Sequence, residues 1–92
     1  MRASMGNERM AKEYIDRVAI EFSDVTLDLP RPARHHDVIE LHVKLTGQRG
    51  SGRQGFVTSA GRFVDRHTAA ALAFEAGQIP RRAGALYSED LW

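Results

Sequence analysis

The chain has 92 residues, 42% hydrophobic and 27% charged, which is one globular domain burying at most ~68% of its unfolded surface rather than a disordered or low-complexity polymer. No apolar run approaches the ~18 residues of a membrane span, and MRASMGNERM lacks the apolar centre of a secretory signal, so a cytoplasmic protein is expected. The absence of cysteine excludes disulfides, thiolate zinc sites and cysteine nucleophiles; so small a core then favours self-association.

The net charge of +1 is unevenly spread: residues 1–30 carry −2, residues 31–82 carry +5 and residues 83–92 carry −2. Eleven of the thirteen basic residues are arginine, whose planar fork suits bidentate phosphate binding, although an arginine-rich genome explains the bias equally well. A +5 segment interrupted by acidic residues falls short of the continuous basic face of a duplex-binding protein, so DNA and RNA duplexes are not expected partners.

Residues 1–12 carry no periodicity and are expected to form a flexible tail ahead of one domain over 13–92. In VAIEF and VTLDL, Val18, Ile20 and Phe22, then Val25, Leu27 and Leu29, alternate as two strands or one bent strand, with Ser23-Asp24 as a possible hairpin connection and Pro30 and Pro32 as a stop. RHHDVIELHVKLTG fits both periods. Its length, Asp37 and Glu40 near the start, Lys44 near the end and Gly47 as a left-handed stop select a helix. GQRGSGRQG, with four Gly and two Arg, is expected to be a mobile basic loop. Phe56–Thr58 and Arg62–Val64 are short strands around a Ser59–Gly61 turn. Asp65 then N-caps an alanine-rich helix over Thr68–Ala76, closed by Gly77. Leu86, Tyr87, Leu91 and Trp92 are too apolar for a free terminus and should be docked, on this chain or another subunit. The fold class is α+β: a small antiparallel sheet packed with two helices, in an oligomer.

A catalytic constellation is hard to assemble from these residues. His35, His36, His42 and His67 lack HxxxH or HExxH spacing, Ser59 has no nucleophile elbow, and the Asp37/Glu40 and Glu89/Asp90 pairs sit where helix-end and tail charges are common. No metal site, cofactor or catalytic residue is expected. The glycines lack a Walker pattern. What remains is an inventory of rings and guanidinium groups able to stack bases and hold phosphates: Phe56 and Phe63 beside Arg62 and Arg66, with Arg34 before one helix and Arg81 and Arg82 after the other. Phe63 and Phe74 are expected in the core, and Phe56 is divided between core and ligand site.

The run QGFVTSAGRFVDRHTAAALAFEAGQI, preceded by RHHDVI and followed by LYSEDLW, resembles a family of small phage proteins that antagonise the bacterial Thoeris defence, over roughly residues 17–92. The resemblance implies a sponge that binds cyclic ADP-ribose isomers between two protomers and releases them unchanged, in homodimers or assemblies up to a hexamer, with separate sites for cyclic oligonucleotides. Carried onto this chain, it implies that Phe56 stacks adenine, that Arg34 and Arg82, or its neighbour Arg81, hold the pyrophosphate, and that Asp65 makes a polar ligand contact. Two other readings compete with it: a phage-encoded interaction inhibitor of a host defence complex, of the anti-CRISPR kind, acting through the SEDLW tail, and a small nucleotide hydrolase using His35 or His36.

Overall fold

A computed structural model describes residues 12–92, so the tail expected over 1–12 lies outside them except for Lys12. The alternation in the first strand decides which way the sheet faces. Strand β1 (Ile15–Phe22) pairs antiparallel with β2 (Thr26–Pro30) on one side and β3 (Gly52–Thr58) on the other; β4 (Phe63–Asp65) completes the order β2-β1-β3-β4. Register sets Leu29, Val18, Phe56 and Val64 side by side across all four strands. That row, with Ile20 and Phe22, forms a single core with helix α1 (His35–Thr46), helix α2 (Arg66–Glu75) and Leu86. The architecture is therefore α+β, with both helices on one face of a four-stranded antiparallel sheet.

The hairpin, the helix ending at Gly47 and the turn before Asp65 stand where local pattern put them. Phe22 N–H donates to Val25 O (2.8 Å) to close the hairpin, Gly47 takes φ +81, and Asp65 Oδ1 accepts the Thr68 N–H (2.8 Å). The second helix packs through Ala69, Ala70 and Ala73, all fully buried, whose small side chains let its backbone approach the sheet. A bulge between Ile15 and Arg17 would leave strand backbone unpaired, and the Gln78 amide fills in: it donates to Ile15 O (2.9 Å) and accepts from Ile15 N–H (2.7 Å).

Two expectations are corrected. The second half of the glycine-rich run is not a loop but the start of the central strand β3. Gly55 is there for space: a Cβ would lie 2.2 Å from Val64 O and 2.6 Å from Phe63 Cζ. The aromatic residues are also redistributed. Phe56 is fully buried, whereas Phe63 and Phe74 are only half-buried, beneath the guanidinium groups of Arg53 (5.2 Å) and Arg82 (4.6 Å). The C-terminal segment is docked, as expected, and on its own chain: Leu86 is fully buried, and Trp92 Nε1–H donates to Ala33 O (2.8 Å). Tyr87 stays 46% exposed.

His42 is a core residue rather than a surface one. Its ring stacks on Phe22 (3.9 Å between centroids); Nδ1 faces the carbonyls of Gln48 (2.8 Å) and Arg49 (3.1 Å), and Nε2 faces Asp24 Oδ1 (3.2 Å). Burial opposes its charge, but the Asp24 carboxylate and the two carbonyls outweigh it and raise the pKa. A group whose pKa is raised by folding stabilises fully below its unfolded value, about 6.5, and that contribution is lost as pH rises through the higher folded value. Urea midpoints measured for the protein and for His42→Gln should therefore differ more near pH 5 than near pH 9; a constant difference would exclude the imidazolium clasp.

Candidate functional site

The two helix N-termini meet. Arg34 caps α1: its N–H donates to Asp37 Oδ2 (2.8 Å), and its O accepts from Asp37 N–H (2.9 Å). Arg66 opens α2 directly after the Asp65 cap, and its carbonyl receives Leu86 N–H (3.0 Å), which draws the C-terminal segment across the same end of the domain. Arg34, His35, Gln54, Arg66, Tyr87 and Ser88, with His36 and Glu89 at the same opening, enclose a cavity of about 210 Å³.

Its electrostatics are those of an anion site. Arg34 Nη1 and Arg66 Nε are both buried and have no hydrogen-bond partner; each such orphan costs about 1–3 kcal/mol or more while unsatisfied. Among the described residues neither arginine forms an ion pair. Arg66 Nη2 donates to Gln54 Oε1, and its guanidinium lies 4.5 Å above the exposed Tyr87 ring. The positive ends of two helix dipoles add to the field. Glu89 supplies the opposing charge. Hydrogen bonds from its own backbone N–H and from the Ser88 hydroxyl (3.3 Å), with Arg34 and His35 nearby, hold its pKa below the usual value. His35 is buried at the floor, its Nε2 at 2.8 Å from Gly55 O and its ring edge-on to Phe56 at 5.0 Å. Burial, and then the Arg66 charge, push its pKa down against the pull of the Gly55 carbonyl and Glu89.

Of the ligand-binding residues that the resemblance implied, only Arg34 lines this cavity; Arg66, from the wider inventory of guanidinium groups, and His35 and His36 line it too. Phe56 offers no ring face to a ligand: it lies beneath His35, sealed in the core, so the stacking role is corrected to a packing one. Asp65 lines a neighbouring open groove with Gly52, Arg53, Gln54, Arg66 and His67, its carboxylate already engaged as the α2 cap. Arg81 and Arg82 line a different pocket with Ile79, Pro80, Ala83 and Asp90. Arg62 is structural. It forms a bidentate pair with Glu13 (2.7 and 2.9 Å), and hydrogen bonds from Arg62 and Thr58 lower the Glu13 pKa to about 2. Sequence reasoning did not single out Tyr87 or Gln54 as pocket residues, nor pair Arg66 with Arg34. One signal was present: both helices open on an Arg-His pair, Arg34-His35 and Arg66-His67.

Among the described residues no group of three or more His, Asp or Glu side chains is placed to hold a metal ion, and no helix is long and apolar enough to cross a membrane. Fold and pocket thus define a small α+β protein with an arginine-lined cavity between two helix N-termini. The family described as phage T4 y16D protein matches residues 10–92, and the chain belongs to that family, which makes it a phage protein. No curated protein and no solved structure matches it, and nothing in these comparisons supports the finer resemblance to anti-Thoeris sponges.

Proposed function

We propose that this phage protein is a binding protein, not an enzyme, and that it takes a small phosphorylated ligand in the Arg34–Arg66 cavity. The observation that carries the reading is that Arg34 and Arg66, each with a buried guanidinium nitrogen that lacks an acceptor, line one cavity at two helix N-termini. A phosphoryl group has acceptors in the geometry a guanidinium fork matches. The ligand class we assign is the cyclic ADP-ribose isomers, held and released unchanged so that a defence signal is sequestered. At about 210 Å³ the cavity is smaller than the ~300–1,000 Å³ typical of a whole-ligand pocket, so it takes the diphosphate and leaves the base outside. There Tyr87, rather than Phe56, is the exposed ring available for stacking. A second copy closing over that base is the role we assign to self-association.

Titrating the protein with a cyclic ADP-ribose isomer, then heating the complex, should return the ligand at its original mass. Loss of that mass would make the protein a hydrolase. Arg66→Ala should weaken binding about 10- to 100-fold, the value of a charged hydrogen bond, while the variant keeps a cooperative melting transition, because the lost Gln54 and Tyr87 contacts are offset in part by removal of an orphaned donor. Unchanged affinity would move the site elsewhere. A second reading, an inhibitor that docks on a host protein, draws on the solvent-facing Val43 and Leu45 of α1, 38% and 63% exposed; under it the same titration shows no nucleotide bound.

A further inference from the structure

Beside the two arginine donors the cavity is lined by the buried imidazole of His35. The Gly55 carbonyl only accepts, so His35 Nε2, 2.8 Å away, carries the ring proton. The neutral imidazole then keeps its lone pair on Nδ1. Burial and the Arg66 charge both favour that neutral form. Among the described residues no group hydrogen-bonds to Nδ1, it is not one of the sealed orphan atoms, and His35 lines the cavity. The ring has little freedom to turn: flipping it would break the Gly55 bond and disturb the edge contact with Phe56.

Among the neighbouring groups both guanidinium groups only donate, the Gln54 oxygen already accepts from Arg66, and the Ser88 hydroxyl donates to Glu89. Glu89 accepts, but it is an exposed residue at the rim.

We propose that His35 Nδ1 accepts a hydrogen bond from a hydroxyl of the ligand, so that the cavity selects a phosphate ester carrying a free sugar hydroxyl over the same phosphate without one. This rests on the Arg34–Arg66 reading and deepens it: the ligand class is a ribose phosphate, recognised at once by its anion and by an adjacent O–H donor.

Calorimetric titration of three probes separates the two claims: inorganic pyrophosphate, ADP, and 2′,3′-dideoxy-ADP. The protein should bind ADP about 3- to 10-fold more tightly than the dideoxy compound, the range of one neutral hydrogen bond. His35→Gln places an amide N–H where Nε2 stood, keeping the donor to Gly55 O while its only acceptor, the amide oxygen, no longer stands at the Nδ1 position. In that variant the ADP preference should fall to about one and pyrophosphate affinity should hold. Independently of any variant, the ¹⁵N resonance of His35 Nδ1 should move on adding ADP and stay in place with the dideoxy compound. Equal affinities for ADP and dideoxy-ADP, a preference that survives in His35→Gln, or an unmoved resonance would overturn the assignment while leaving the anion site intact. Failure of pyrophosphate to bind would overturn the anion site itself and this assignment with it.

Discussion

Replacing Phe56 by Ala is expected to cost about 3–5 kcal/mol of stability, seen as a lowered or lost cooperative melting transition. The ring is fully buried at the centre of the sheet, between Val18 and Val64 in register and against His35. Truncation removes its transfer free energy and leaves a cavity that the paired strands cannot collapse to fill. A domain of this size has about 5–15 kcal/mol in total, so the loss is a large share of it. A ligand-stacking ring would behave otherwise, leaving the melt unchanged and weakening only binding. The melting curve of Phe56→Ala alone therefore decides which role the residue has.

Gly55→Ala is the second large effect. The added Cβ meets backbone on one side, Val64 O at 2.2 Å, and an aromatic ring on the other, Phe63 Cζ at 2.6 Å. A ring can turn away, but a carbonyl in a strand ladder cannot do so without breaking pairing. The cost should exceed the usual ~1–3 kcal/mol of overpacking, and for a domain of this length each kcal/mol lowers the melting temperature by about 4–8 °C. Gly55 O also holds His35, so a folded remnant should lose binding as well. A melting temperature within about 2 °C of the parent would show that β4 can shift aside.

These two residues also mark where the sequence stops being legible. The hairpin, the Gly47 stop and the Asp65 cap follow from patterns within a dozen residues: alternation, a left-handed glycine, a carboxylate before a helix. The local signal for Gly55 is the same as for any loop glycine, because the Phe63 ring and the Val64 carbonyl that exclude a side chain arrive only when β4 folds back. Phe56 next to that glycine inherits the same ambiguity. For the site, Arg34 is legible as a basic residue at a helix start. Its pairing with Arg66 depends on how two helices lie on one sheet, which no local spacing encodes. The resemblance to an anti-Thoeris sponge drew attention to Arg34, Phe56, Asp65, Arg81 and Arg82, of which Arg34 lines the cavity, together with Arg66, Tyr87 and His35.

The strand order carries a kinetic consequence. The hairpin of β1 and β2 needs only nearby partners, but the middle of the sheet joins β1 to β3, with Ile15 opposite Thr58. The whole of α1 must be looped out before that ladder forms, and loop-closure entropy opposes it until several rungs are in place. Acquisition of the native state should accordingly be paced by this single docking event, on the order of milliseconds for a mixed domain. The cavity would assemble last, since it takes shape only after both helix starts are fixed to the completed sheet.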